Sequence, residues 1–315
     1  MQELARYQEG YASVIVSRDG DDLVFWSDLD DYGKSIVSQS RIPVADYVAK
    51  GEGPWPWYDL GDRRPGALQV LRALGIPPQP WTEPLSPEAF AMFERARNGW
   101  GSIAEDVTNG LDVDARDACG ATPLWYAVRS LQPAAAVVLI DAGADAGRRI
   151  ELSARGDRFT TILHEIVLLA RTTALDHALA AGVSPSLLDS QGATPLHGLG
   201  DRSDHVNPAI VRALVGAGAD PDASAPSGQR PIEVAAQRLL PAAIATFLDL
   251  GAEPANALTA VLAWWAANIT WAKYRASVVV DVIETLRAGG AVVTDRHREL
   301  AAKGEVGTVV SALDA

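Results

Sequence analysis

The chain has 315 residues, of which 48% are hydrophobic, so it can bury a substantial core in one or two domains. Its formal net charge of −13 disfavours a nucleic-acid ligand, whose phosphates it would repel, and leaves room for a basic protein partner. A single cysteine, Cys119, cannot form an internal disulfide. Because the sequence shows neither a secretion signal nor an apolar run of bilayer length, it predicts a soluble cytoplasmic protein that does not bind membranes.

The first 85 residues predict a small α+β domain. Two β-rich runs flank Asp19–Gly20, which is a strong hairpin signal, and residues 34–42 predict a third strand. Short helices are predicted at 43–51 and 66–75, on either side of a segment rich in glycine and proline. No family resemblance is evident in this part of the chain.

The acidic residues of this domain and the histidines of the chain are the candidate metal ligands of the sequence. Six aspartates between Asp19 and Asp31 could offer oxygen atoms to a hard cation, but they lack the spacing of a calcium-binding loop. Turn formation and solubility explain them better. The five histidines show no metal-ligand spacing either, so no metal and no cofactor are predicted.

Beyond residue 85 the sequence becomes repetitive. The phrase GATPL occurs at 120–124 and again at 192–196, and related phrases occur at 160–167 and 228–236. Aligned on their threonine position, the four phrases are separated by 39, 33 and 36 residues. A second marker, typified by the GAD at 143–145, recurs with a similar period. Two markers in one register indicate a structural repeat.

Each repeat predicts two helices and a turn. In the repeat that begins at Thr122, the threonine is an N-cap and Pro123 takes the first helical position. The second helix begins at Pro133 and stops at Gly143, where glycine suits a left-handed C-terminal residue. One such pair cannot bury its apolar face alone, so the repeats are expected to stack.

The pattern G-x-T-P-L-H-x-A, followed by a second helix and G-A-D, resembles the ankyrin repeat over residues 86–315. The resemblance implies a mainly α fold, an ankyrin-repeat solenoid of about six units including its caps. It places caps at 86–112 and 295–314, and it weakens at 152–185 and at 255–292. The predicted domains are therefore 1–85 and 86–315.

The same resemblance implies a non-enzymatic module for protein–protein interaction, since the family carries no catalytic residues. Partners of such repeats contact the loop tips and the exposed face of the first helices. Trp125 stands where the family has histidine, and it is the aromatic residue best placed for an exposed recognition face. The full set mapped onto this surface is Trp125, Tyr126 and Arg129 on the helix, and Arg116, Asp117, Arg155, Asp157, Arg158, Asp189, Gln191 and Ser227 at the loop tips.

Other histidines and tryptophans allow two interpretations. His164 and His197 occupy the family's histidine position, where the ring is expected to bond neighbouring backbone. Trp55 and Trp57 could meet a partner or close the core of the small domain. The adjacent pair Trp264–Trp265 has the same ambiguity, because a helix can bury only one member and turns the other about 100° away.

Three hypotheses of function follow. The composition, rich in Ala, Arg, Gly and Asp and poor in Lys, suggests a bacterial protein of high-GC origin. The favoured form is an acidic inhibitor or immunity protein that masks a basic toxin or enzyme. The alternative is an enzyme or small-ligand receptor with its site in residues 1–85 and the repeats as a targeting arm. A self-assembling structural array is the third.

Overall fold

The computed structural model describes residues 2–9, 12–31, 34–50, 64–78, 86–99, 101–116, 121–151, 158–201, 204–254, 256–268, 273–303 and 307–314. The chain divides into two compact units. The first comprises Met1–Ala144 and Arg149–Thr160, and the second comprises Asp145–Arg148 and Thr161–Ala315. The predicted boundary at residue 85 lies inside the first unit and stays a prediction.

The first unit begins with an antiparallel sheet of four strands in the order β1-β2-β3-β4. The strands are β1 Gln2–Glu9, β2 Ala12–Asp19, β3 Asp22–Asp31 and β4 Lys34–Pro43. The predicted hairpin at Asp19–Gly20 is confirmed, since Asp19 pairs with Asp22 and Gly20 has φ 63°. Strand β1 was not predicted, because a register shift between Glu3 and Ala5 interrupts its two-residue alternation.

One face of this sheet carries the core of the small α+β part. Two helices follow the sheet, α1 Val44–Lys50 and α2 Arg64–Ala73, and they pack on its strands. The rings of Phe25 and Tyr47 lie 5.5 Å apart between sheet and helix. The buried side chains of this core are Ala5, Val14, Val16, Leu23, Phe25, Ile42, Tyr47, Val70 and Leu71. The alternation of Val14 and Val16, and of Leu23 and Phe25, follows from the pleat.

The rest of the first unit is helical, except at its end. Its helices are α3 Pro87–Asn98, α4 Ile103–Thr108, α5 Pro123–Arg129 and α6 Pro133–Asp141, and strand β5 Arg149–Glu151 pairs with β6 Phe159–Thr161. Ser86 is the N-cap of α3, because its Oγ accepts the backbone N–H of Ala89 at 3.1 Å. The buried carboxylate of Asp106 accepts two bonds from Arg95 and joins α4 to α3.

The second unit contains the remaining helices. They are α7 Ile162–Leu168, α8 Thr172–Ala180, α9 Asn207–Gly216, α10 Pro231–Gln237, α11 Pro241–Asp249, α12 Ala257–Ala267, α13 Ala276–Ala288, α14 Asp295–Ala302 and α15 Gly307–Ser311, with 3-10 turns at Pro195–Gly198 and Lys273–Arg275. They pack as two layers. The first helices of successive repeats contact one another in one layer, and α8, α9, α11 and α13 do so in the other.

Of the two adjacent tryptophans on α12, only one is fully buried, as the helix geometry requires. Trp265 is fully buried, and its indole N–H donates to the carbonyl of Ala301 at 3.2 Å. Trp264 is only half-buried. Trp265 is therefore a core residue with a satisfied polar atom, which is the usual condition for a buried indole. Trp55 and Trp57 lie outside the described residues.

Candidate partner-binding surface

The repeats that begin at Thr122 and Thr161 open their first helix with the same local turn. The Oγ1 atom of Thr122 accepts the backbone N–H of Trp125 at 3.3 Å, and that of Thr161 accepts the N–H of His164 at 3.4 Å. These bonds satisfy N–H groups that have no partner inside the helix. The predicted N-cap role of Thr122 is therefore confirmed, and the turn sets where each helix starts.

The histidine at the fourth position of the turn links one repeat to the next. The Nε2 atom of His164 lies 3.0 Å from the carbonyl oxygen of Ala193, and that of His197 lies 3.1 Å from the carbonyl oxygen of Gln229. A carbonyl oxygen only accepts, so Nε2 carries the proton in each ring. In His197, Nδ1 then accepts the backbone N–H of Thr194 at 3.2 Å. The predicted bonds to backbone are confirmed.

Burial sets the charge of these rings. It is the main cause that lowers the pKa of His164 below its ordinary value, and it lowers the pKa of His197 as well. Both rings are therefore neutral at pH 7, as their two-sided hydrogen bonding requires. They hold the repeats together and are not available as catalytic bases or metal ligands.

A third copy of this turn, near the C-terminal end, was missed in the sequence. His297 accepts the backbone N–H of Thr294 at 3.1 Å, as His197 does from Thr194. Its Nε2 atom faces the hydroxyl of Thr259 at 2.9 Å. Residues 294–297 read T-D-R-H, so the spacing of threonine and histidine was a signal that could have revealed the turn without its proline and leucine.

The structure contradicts the prediction that Trp125 lies on an exposed recognition face. Its side chain is only 2% exposed. The residue stands at the position whose side chain turns inward, as it does in His164 and His197, which are also buried. An indole ring cannot bridge two polar partners as imidazole does, so it packs as an apolar core residue, with the guanidinium of Arg129 stacked 5.2 Å from its ring centroid.

Two predicted residues on the same helix remain partly accessible. Tyr126 is half-buried and meets the ring of Phe93 edge-on, with 5.8 Å between centroids. Arg129 is also half-buried, above Trp125. The structure thus leaves a narrow face on α5, where an aromatic ring and a guanidinium lie near each other on rigid supports. Side chains that are held by such contacts have little conformational freedom left to lose.

The loop-tip residues differ in what they do. Arg116, Arg158, Gln191 and Ser227 are exposed. Asp189 is half-buried, and its Oδ1 accepts the backbone N–H groups of Gln191 at 2.8 Å and Ala193 at 2.9 Å. Its carboxylate therefore shapes the loop. The predicted tip residues Asp117, Arg155 and Asp157 lie outside the described residues, as does Cys119.

A repeated turn explains several of the acidic residues. The Oδ1 atom of Asp145 accepts the N–H of Gly147 at 2.9 Å, and that of Asp220 accepts the N–H of Asp222 at 2.9 Å. Asp112 makes the same turn with the N–H of Asp114 at 3.0 Å. The recurring aspartate thus has a structural role after α4, α6 and α9, and its charge reaches the surface as a consequence.

Acidic residues at the tip of the N-terminal hairpin also have a structural role. Asp19 and Asp22 lie 2.5 Å and 3.5 Å from the guanidinium of Arg41 on the neighbouring strand β4. The described residues contain no group of three acidic, histidine or cysteine side chains that could hold a metal ion. In the part of the chain that the structure describes, no helix is long and apolar enough to span a bilayer.

Comparison with known proteins supports the fold alone. No family model matches the chain, and no curated protein matches its sequence. Among solved structures, the human ASB11 ankyrin repeat domain is similar, with a TM-score of 0.54 and 20% sequence identity. The similarity covers 73% of this chain and 96% of that chain. The chain therefore has an ankyrin-like fold.

Proposed function

We propose that this protein is a non-enzymatic module that binds another protein. The observation that carries the proposal is the ankyrin-like fold, in which two layers of short helices in the second unit leave loop tips and helix ends accessible. Stacked helices of this kind favour recognition across a surface. The solenoid of about six units, its two caps included, belongs to this proposal.

The contact residues of the proposal are those that the structure leaves accessible. They are Tyr126, Arg129, Arg116, Arg158 and Gln191. Trp125 supports the surface from beneath, because it is buried under Arg129. Asp189 acts through the loop that it shapes, and Asp117 and Arg155 are retained as sequence-based members.

The proposed partner is a basic protein, which this chain inhibits or neutralises in the bacterial cytoplasm. The net charge of −13 supports the sign of the partner. A large opposite charge raises the association rate and suppresses partners of like charge. The specific role of an immunity protein that masks a basic toxin rests on this charge and on the fold.

The test is copurification from the source cell, identification of the bound protein, and calorimetry with purified components. Truncating Tyr126 or Arg129 to alanine should weaken binding by about 2 kcal/mol or more, if they are anchors. Arg296→Ala, an exposed residue on α14, is the control and should bind as the parent does. Melting curves of each variant separate a lost contact from a lost fold.

Salt dependence tests the charge of the partner. The association rate should fall steeply between about 50 and about 300 mM salt, because exposed charges are screened over about 10 Å at 0.1 M. An acidic or neutral partner, or a rate that salt leaves unchanged, would reject the basic-partner proposal. A small molecule that raises the melting temperature, with no protein partner captured, would favour the receptor alternative.

A further inference from the structure

Helix α12 is apolar on its outer side as well as on its inner side. On the inner side Val261, Leu262 and Trp265 are buried. A surface helix normally turns a polar face to water, whereas a helix that is apolar all round is normally covered on every side. Residues 254–272 form the longest stretch of the chain without Asp, Glu, Lys or Arg, so α12 presents no charge to water.

Four residues define this outer side, which we call the α12 face: Ala260, Ala263, Trp264 and Ala267. Ala263 and Ala267 are exposed, and Ala260 and Trp264 are half-buried. Because residues three and four apart are neighbours on a helix, the indole ring of Trp264 adjoins three alanine methyl groups. Apolar groups that adjoin one another at a surface mark a contact site, which apolar residues scattered singly do not.

The helices on either side of α12 add little net charge to this face. Helices α10 and α14 both contact α12. The residue four positions after the N-cap is Ala260 in α12, Val234 in α10 and Arg298 in α14. Val234 is uncharged, and the guanidinium of Arg298 is paired with Asp314 at 3.0 Å and Asp295 at 3.2 Å. The α12 face is therefore bordered by an apolar side chain and by a cation whose charge is compensated.

The charge of the chain is distributed so that two copies can meet here. Residues 255–315 contain six acids and six bases, so the whole net charge of −13 belongs to residues 1–254. Two copies repel each other through their acidic parts, and a basic partner finds no excess of acid around α12. The neutral, apolar α12 face thus suits a second copy of the same chain better than it suits a charged partner.

The sizes of the four side chains are also self-complementary. Their spacing is symmetrical about a point midway between Ala263 and Trp264. When two antiparallel copies of α12 are related by a two-fold axis at that point, Trp264 of each copy meets Ala263 of the other, and Ala260 meets Ala267. The small side chains leave the room that each large ring fills, as close packing of two helices requires.

We infer that the α12 face binds the same face of a second copy, so that the protein forms a closed two-fold dimer. The inference goes beyond the proposed binding of another protein and does not depend on it. An isologous contact occupies the face in both copies, so assembly stops at two and does not build an array. A contact centred on one helix is smaller than the roughly 800 Å² per copy of a standard interface, so we expect a dissociation constant of about 10–100 µM.

The test is analytical ultracentrifugation of the full chain at concentrations from about 1 to about 300 µM, which span the expected dissociation constant. The average mass should rise from 33.4 kDa towards twice that value. Ala263→Glu should weaken the dimer at least tenfold, because it places two carboxylates near the axis. Trp264→Ala should weaken it about tenfold, because it removes the large ring of the contact. A parent protein that is monomeric at about 300 µM would overturn the inference.

The matched control is Ala209→Glu, which adds the same charge at an exposed alanine on helix α9. It should leave the dissociation constant within about twofold of the parent value. Equal weakening by Ala209→Glu and Ala263→Glu would reduce the effect to net charge and overturn the inference. A dimer that neither Ala263→Glu nor Trp264→Ala weakens would place the contact elsewhere, with the same consequence. Melting curves of both glutamate variants should match the parent, because both alanines are exposed and glutamate is a good helix former.

A pair of opposite charges tests the two-fold axis itself. Ala263→Glu and Ala263→Lys should each be monomeric alone, because each brings like charges together across the axis. An equimolar mixture of the two variants should dimerise, because the axis brings position 263 of one copy near position 263 of the other. A mixture that stays monomeric would reject the two-fold arrangement.

Salt dependence separates the dimer from the proposed binding of a basic protein. The dimer should tighten between about 25 and about 300 mM salt, because screening weakens the repulsion between two copies of net charge −13. Binding of a basic partner should weaken over the same range. A dimer that salt dissociates would be held by ion pairs, which would overturn the inference. Since the dimer is measured without any partner, failure to capture a basic protein would leave it standing.

Discussion

The two copies of GATPL lead to different local structures. The first copy, described from Ala121 onward, opens the seven-residue helix α5 and places Trp125 in the core. The second opens only a 3-10 turn, Pro195–Gly198, and places His197 between repeats. The same five letters therefore specify how a helix begins and leave its length to the residues that follow.

Glycines after the second copy explain why its helix stops. Gly198 and Gly200 each cost about 1 kcal/mol relative to alanine inside a helix. Gly200 also lies against the preceding repeat, since a Cβ atom there would stand 2.2 Å from the carbonyl oxygen of Leu168. The chain that follows is held by Asp204, whose carboxylate accepts the N–H groups of Ala242 and Ala243 at the start of α11.

The largest expected effect concerns the fourth position of the first copy. Trp125→Ala should lower the free energy of unfolding by about 3–5 kcal/mol, because it empties a buried site of aromatic size. His197→Ala, at the same position of the second copy, should cost less, about 1–3 kcal/mol, for an unpaired carbonyl of Gln229. Urea melts of both variants measure the difference, and equal losses would contradict it.

The close contact at Gly200 predicts the next effect. Gly200→Ala should destabilise by about 1–3 kcal/mol, because the new methyl group meets a backbone carbonyl that cannot rotate away. Gly216→Ala is the matched control, since nothing lies within 4 Å of a Cβ atom at the end of α9. Denaturant midpoints should separate the two variants. A Gly200→Ala protein as stable as Gly216→Ala would show that the turn has room.

The histidines make the second unit sensitive to acid. Burial lowers the pKa of His164, His197 and His297 in the folded chain, whereas histidines of the unfolded chain have a pKa of about 6.5. As the pH falls, the unfolded chain therefore binds protons before the folded chain does. Their contribution is complete above about pH 6.5 and is lost progressively below it. Unfolding free energies at about pH 7.5 and about pH 5.5 measure the slope.

A variant tests which histidine causes the pH dependence of the unfolding free energy. His197→Gln should reduce the slope of unfolding free energy against pH by up to about 1.4 kcal/mol per pH unit, the value for one differentially bound proton. The first copy has Trp125 at this position and contributes no such slope. A pH dependence that is unchanged in His197→Gln would mean that other groups cause the loss of stability in acid.

The smallest effect concerns the turn after α5. Leu131 is 65% exposed and has φ 61°, a left-handed conformation that costs a leucine about 1 kcal/mol or more. Leu131→Gly should therefore raise stability by up to about 1 kcal/mol, less the extra entropy of glycine when unfolded. Leu168→Gly, at the end of helix α7, should instead lower it. Thermal melts compare them, and a loss in both would show that the conformation at Leu131 is unstrained.

Local signals allowed several parts of this fold to be predicted. The N-cap at Thr122 could be predicted, because a cap depends on residues within three positions of itself. The hairpin at Asp19–Gly20 follows from the same kind of short-range chemistry. In the candidate site, the bonds of His164 and His197 to backbone were expected from their place in the repeated turn.

Features that depend on distant residues were missed or wrong. Strand β1 has weak alternation and is a strand because β2 pairs with it. The hairpin of β5 and β6 occurs at one of the two stretches where the repeat resemblance weakens. The residues around Trp125 do not determine which side of α5 the neighbouring helices cover. The exposure of Trp125 therefore could not be inferred from the type of residue alone.

The sequence by itself determined the period of the repeats, the starts of their helices and the sign of the charge. Each of these depends on residues close together in the chain or on composition alone. Only the tertiary structure decided that Trp125 is buried, that the second GATPL opens a single turn, and that the guanidinium of Arg149 lies over the ring of Phe159. Burial and stacking depend on which surfaces meet after folding, and residues far apart in sequence supply those surfaces.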